Sequence, residues 1–318
     1  MRRLGLTMCL LVAALVIPAA AAPLAHREVL PNGMVLLVAE RPTIPLVVVR
    51  VYLHAGSVYD PPDAGALANL TADMLTRGTA RRSGPELDQA IEFVGGSLEG
   101  EAGRDGASLS LSVLKKDLKL GLDLLAEVLL TPAFPEPELK RRSEEIAAAI
   151  ERSEQDPGTV AAREMALLLY PGHPYRRPVA GTVESVKKIT RAQIAGFYRE
   201  NYRPDTAVVA VVGDVTRDEV RRELLARLGS WSSAAPPRPV IPLAPASPPV
   251  ESRVIHRNLT QATVSLGRPG IRQDHPDYFP LVVANHVLGG GSASRLYTRV
   301  REERGLAYSV YSALGPGR

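Results

Sequence analysis

Apolar and polar positions along the chain follow two patterns, short β-branched runs and longer stretches of helical period. Val29–Val38 places Pro31-Asn32-Gly33 between two apolar runs, which predicts a hairpin. Leu46–Leu53 is β-branched and nearly continuous, which predicts a strand buried on both faces. A proline-containing loop at Asp60–Asp63 leads into a helix over Gly65–Leu75. Pro85–Phe93 predicts a second helix, with proline in its first turn and Gly95-Gly96 closing it. Ser97–Leu114 alternates and carries glycines, the pattern of two strands. Leu118, Leu122, Leu125 and Leu129 form one stripe of a helix over Asp117–Leu130. Pro137–Glu154 and Thr159–Leu169 are expected to be helical. Thr190 and Thr216 stand where caps of helices ending at Tyr202 and Leu228 would stand. Between those two helices, Ala207–Val212 predicts a buried strand ending at Gly213-Asp214.

The pattern changes at Trp231–Val250, which holds seven prolines among serine and alanine and predicts an extended, semi-rigid linker. Beyond it, Val254–Leu266 is strand-like, Tyr278–Leu288 and Ala293–Glu303 are helix-like, and Ala307–Leu314 is strand-like again. Four segments follow: a leader over 1–22, a full unit over 27–231, a linker over 232–250 and a shorter unit over 251–318. The expected class is α+β, a mixed and mostly antiparallel sheet packed with helices, with one full unit and a truncated second one. A short unit ending in a strand would leave an open edge, so a longer protein or a partner is expected to complete it.

Met1–Ala22 has the layout of a secretory signal. Arg2 and Arg3 precede the apolar run Leu4–Pro18, and Ala19–Ala22 supply a small-residue cleavage site. That run is short for a membrane span, so the mature protein is expected to be exported, periplasmic or secreted, without stable membrane insertion. Hydrophobic residues make up 45% and charged residues 23%, which supports a packed core and excludes global disorder. The formal net charge is +4, and Arg2 and Arg3 contribute to it, so no nucleic-acid-binding character is expected. Cys9 is the only cysteine and lies in the leader, which leaves the mature chain no disulfide, thiol nucleophile or thiolate metal site. Among His26, His54, His173, His256, His275 and His286, no pair has metal-ligand spacing.

The run from Gly65 to Thr79, GALANLTADMLTRGT, resembles the signature helix of the insulinase/pitrilysin-type zinc peptidases, family M16. Several neighbours fit in the same order: Leu30-Pro31-Asn32-Gly33, Ala55-Gly56-Ser57, Gly95-Gly96, Asp156-Pro157, Asn201-Tyr202-Arg203-Pro204 and Gly213-Asp214. In the second unit Gly289-Gly290-Gly291-Ser292 and the stretch Val300–Tyr311 also fit, so the resemblance spans about 27–318. It implies an inverted zinc motif, H-x-x-E-H, with two histidine ligands one helical turn apart and a glutamate base. Here those three positions are Asn69, Ala72 and Asp73. The position of a third ligand on the long helix falls at Ala148 and Ala149. Glu144, Glu145, Glu151 and Glu154 share that helix. A shifted register would bring one toward Asp73, whereas helical spacing to Arg141 or Arg142 predicts a solvated, ion-paired face.

The resemblance further implies that Arg301 and Tyr308 reach the zinc site from across a chamber, as donors to a peptide carbonyl and its oxyanion. The asparagine that the family's zinc-side strand usually offers is replaced here by Glu99. Loss of the zinc-site residues with retention of the donor pair implies a non-catalytic subunit. Such a chain binds no zinc itself and pairs, as a hetero-oligomer, with an active M16 zinc peptidase acting on peptide. A structural relic with no peptide role, or a zinc enzyme with atypical ligands, are the other readings.

Overall fold

The computed structural model describes residues 24–232, 240–245 and 249–315. The leader expected over 1–22 lies outside the described residues, as do parts of the proline-rich linker. Six strands form one sheet: β1 (His26–Val29), β2 (Val35–Glu40), β3 (Leu46–Leu53), β4 (Ser97–Ala102), β5 (Ala107–Leu114) and β6 (Ala207–Gly213). Their order is β1-β2-β6-β3-β5-β4. Only β2 and β6 run parallel; every other neighbouring pair is antiparallel. This is the expected mixed, mostly antiparallel sheet, and the expected hairpin is β1–β2.

Nine helices accompany the strands among the described residues. They are α1 (Leu67–Met74), α2 (Gly84–Glu92), α3 (Leu118–Leu130), α4 (Glu136–Ser153), α5 (Pro157–Leu169), α6 (Val183–Lys188), α7 (Arg191–Asn201), α8 (Arg217–Leu228) and α9 (Tyr278–Gly289). Thr190 and Thr216 cap α7 and α8 through their side chains, as expected. The α3 leucine stripe is buried. α6 is a single short turn with no apolar period of its own, and the sequence pattern did not predict it.

Among the described residues the sheet is covered on one face only. On β5, Ala107, Leu109, Leu111 and Val113 are buried, while Ser108, Ser110 and Ser112 alternate with them on the other face. The expectation that β3 is buried on both faces is therefore corrected. Val47, Val49, Val51 and Leu53 enter the core, but Val48 is 40% exposed. Arg50 stands on the open face and donates to Glu101 Oε1 at 2.7 Å and to Ser110 Oγ at 3.2 Å. Antiparallel neighbours leave one side of such a strand uncovered, and the β-branched run does not by itself reveal this. The end of the first unit is pinned where Asn32 Nδ2 donates to Leu228 O at 2.8 Å beside buried Trp231.

Two strands expected in the second unit are absent. Val254–Leu266 and Ala307–Leu314 carry no strand pairing. A strand needs a neighbour for its backbone donors and acceptors, and among the described residues neither segment has one. α9 forms as expected. The helix expected over Ala293–Glu303 is reduced to a π-helical turn over Tyr297–Glu302 and a few residues before it. Gly289 lets Ser312 pass close by: a methyl group on Gly289 would lie 2.3 Å from the Ser312 nitrogen.

Candidate functional site

The motif helix α1 starts from an unusual corner. Ala66 precedes it with φ of 82°, in the left-handed region that alanine rarely enters. Asp60 holds this corner, accepting from Ala66 N at 3.1 Å and from Ala68 N at 2.8 Å. Burial pushes its carboxyl up to about 7, against the pull of those two N–H groups and of nearby Arg177. Arg177 in turn donates to the carbonyls of Asp60 and Pro61 at 2.9 and 3.0 Å.

One turn along α1, Asn69 and Asp73 share a face at helical spacing, and Ala72 is fully buried. The sheet edge presses on the helix here. A methyl group on Gly100 of β4 would lie 2.2 Å from Ala72 O, so only glycine fits. Glu99, which the resemblance sets in place of an asparagine, is exposed. On a strand its side chain points away from the face that Gly100 turns to α1.

Asp73 is not an open carboxylate. Arg142 of α4 donates to it through both edges of the guanidinium, Nε to Oδ2 at 2.6 Å and Nη2 to Oδ1 at 2.9 Å. The pair is largely shielded, with side-chain exposures of 26% and 17%. The hydrogen bond to Asp73 raises the Arg142 pKa, offset in part by desolvation. Arg142 also pairs with Glu145, and Arg141 pairs with Glu138 and Glu145. The solvated ion-paired face predicted for α4 is thus present for Glu145. Among the described residues it is an arginine that holds Asp73, and Glu145 meets the site through that arginine. Ala148 is half-buried and Ala149 exposed, so the third-ligand position offers methyl groups.

At the other end of α1, Gly78 and Thr79 lead into a buried ionic knot. Glu127 of α3 is 7% exposed and accepts from Thr79 Oγ1 at 2.6 Å. Arg82 also pairs with Glu127, and Arg81 approaches it at 3.7 Å. The motif helix is therefore clamped at both ends and along its polar face.

In the second unit, Arg301 and Tyr308 come together. The guanidinium carbon lies 4.6 Å from the Tyr308 ring centroid and 4.8 Å from that of Tyr297, an arginine between two aromatic faces. Tyr308 is 83% exposed. Among the described residues, no hydrogen bond, ion pair or ring contact joins this pair to Asn69, Ala72 or Asp73. The structure thus assembles two separate groups of residues.

The profile described as insulinase (peptidase family M16) matches residues 35–183, and the one described as peptidase M16 inactive domain matches 188–317. The chain belongs to peptidase family M16. An uncharacterized zinc protease of Streptomyces coelicolor is 32% identical over 90% of this chain and 64% of its own length. One from Mycobacterium tuberculosis H37Rv is 33% identical over 93% of this chain and 68% of that protein. The chain thus spans about two thirds of the length of these relatives. Among solved structures, a peptidase M16 inactive domain from Pseudomonas fluorescens superposes with a TM-score of 0.81 at 30% identity, covering 92% of this chain and 71% of that one. The periplasmic protease PqqL of Escherichia coli shares the fold, with a TM-score of 0.64 at 20% identity over 71% of this chain and 26% of that one.

The zinc that the family implies does not fit the residues present. The motif offers one amide, one methyl and one carboxylate already held by an arginine, and zinc favours imidazole and thiolate over such a set. Among the described residues no group of three or more His, Cys, Asp and Glu side chains is arranged to hold a metal. The family resemblance points to Asn69, Ala72 and Asp73, whereas Arg142 and Asp60, which hold this helix, are not among the residues it implies. Arg142 has local glutamates at helical spacing that account for it, while Asp73 lies 69 residues away.

Proposed function

We propose that this chain is the non-catalytic member of a peptidase pair, an M16 subunit that binds no zinc and joins an active M16 zinc endopeptidase. It lends chamber wall and, through Arg301 and Tyr308, hydrogen-bond donors to the scissile carbonyl of a bound peptide and to the oxyanion formed from it. The observation that carries this reading is the bidentate Arg142–Asp73 pair beside fully buried Ala72. A guanidinium takes the carboxylate, and a methyl stands where a general base would have to meet water. The free edge of β4 suits an extended peptide that adds as a strand. The basic and apolar leader, and the likeness in fold to a periplasmic protease, support export to the periplasm or beyond. Among the described residues no helix is long and apolar enough to cross a membrane.

The test is reconstitution. The chain is purified from its native host, co-purifying proteins are identified by mass spectrometry, and an M16 protein with intact H-x-x-E-H is mixed back. We expect no peptide hydrolysis from this chain alone, hydrolysis by the mixture, and lower turnover with Arg301→Ala or Tyr308→Phe while the pair stays assembled. Unchanged turnover in both variants removes the donor role. The relatives' descriptions as zinc proteases favour a second reading, an active enzyme with atypical ligands. Stoichiometric zinc together with hydrolysis by the isolated chain would establish that reading and overturn the first.

A further inference from the structure

We propose that Tyr170, His173 and Tyr175 form a recognition site for extended proline-containing peptide, and that the chain's own linker at 240–245 is its occupant. The three rings meet at the C-terminal end of α5. His173 and Tyr175 pack edge to face at 4.6 Å, Tyr170 and Tyr175 at 5.5 Å, and Tyr170 and His173 lie 6.0 Å apart. His173 is 5% exposed and Tyr175 6%. The imidazole is oriented on both sides. Its Nδ1 accepts from Tyr175 N at 3.1 Å, so the neutral ring carries its proton on Nε2, which donates to Pro242 O at 2.9 Å. Two buried rings and a half-buried one, with one aimed donor, are the chemistry that reads a polyproline II segment, whose carbonyls have no internal partners.

The linker sequence suits this. Pro239, Pro242, Pro245 and Pro248 recur every third residue. In a helix of three residues per turn that spacing puts prolines on one edge and leaves carbonyls free for a donor. The seat is continued along α5. Arg253 pairs with Glu164, and Arg257 donates to Glu154 O at the turn that precedes the helix. Gly267 lies against Met165 and Leu169, where a methyl group would come within 2.5 Å of the Met165 sulfur. Residues 240–245 thus act as a strap on this site. Their bond to His173 starts a line of contacts that lays the second unit on α5.

Trypsin cleavage at Arg253 and Arg257 of the full chain, timed by mass spectrometry, reads how firmly the strap is seated. His173→Asn keeps an oxygen near the Nδ1 position for Tyr175 N–H and loses the reach to Pro242, whereas His173→Gln keeps a donor near the Nε2 position. We expect His173→Asn to be cleaved about tenfold faster, as for loss of one buried hydrogen bond, with an unchanged melting temperature for the first unit. His173→Gln should be cleaved at close to the wild-type rate. Replacing both Pro242 and Pro245 by alanine should speed cleavage several-fold. Wild-type rates in His173→Asn would overturn the strap. Equal acceleration in both His173 variants with a lowered melting temperature would also overturn it, since His173 would then serve only to hold Tyr175. A wild-type rate in the double proline variant would overturn proline recognition.

Discussion

The first unit and the second unit both carry apolar segments, yet among the described residues the buried apolar side chains all belong to the first. In the first, Leu70, Leu125 and Val49 have essentially no exposure, and the strand alternation finds a sheet to join. In the second, Phe279, Val283 and Leu306 are 74%, 65% and 72% exposed, and among the described residues two β-like segments lie without a strand neighbour. Apolar pattern is therefore a necessary condition for a core and not a sufficient one. A strand becomes a strand when a second strand satisfies its backbone, and a helix face becomes core when another element covers it.

Substitutions in matched positions sharpen this contrast. Leu125→Ala should cost about 3 kcal/mol in urea unfolding, because the cavity forms in a packed core. Val283→Ala should change stability by less than about 0.5 kcal/mol. A cost of 2 kcal/mol or more for Val283→Ala would break the comparison, since α9 would then be covered in solution.

The next effect belongs to the corner that starts the motif helix. With a folded pKa of about 7, Asp60 holds a proton in the native state that the unfolded chain, at about 4, has released. Its contribution to stability is therefore present at pH 4 and is lost as pH rises through 7. Unfolding measured from pH 4.5 to 8 should show a decline on the order of 2 kcal/mol in the wild type that is missing from Asp60→Asn. Parallel curves for the two proteins would refute this.

A smaller effect tests the lock across α1 and α4. Arg142→Met and Asp73→Asn should each cost about 1 kcal/mol, and the double variant little more than either alone. Additive losses would show that the two side chains act independently. Smallest of all, Tyr308→Phe in the exposed second unit should leave stability within about 0.5 kcal/mol of wild type, read by the same unfolding curve.

Much of the first unit was legible in order. The α3 leucine stripe, the caps Thr190 and Thr216 and the serine alternation on β5 each depend on neighbours a few residues away, and each appears where its pattern placed it. The one-turn spacing of Asn69 and Asp73 was equally plain, because a helix presents such positions on one face. The double-sided burial of β3 was not correct, because a continuous apolar run cannot say how many faces will be covered.

His173 shows the same limit from another side. In sequence it is one of six histidines with no ligand spacing. Its orientation comes from Tyr175 beside it and from Pro242, 69 residues on. Arg142 likewise satisfies a local helical pattern with Glu145, while the bond that closes the motif site reaches 69 residues back to Asp73. Sequence alone determined most elements of the first unit and their caps, and it placed an amide, a methyl and a carboxylate at Asn69, Ala72 and Asp73, since these follow from backbone period and side-chain chemistry. Which face is open, which charge holds Asp73 and what the linker rests on were decided by the tertiary structure. Those contacts join residues that no local period connects, and they exist only once the sheet and its helices have brought them together.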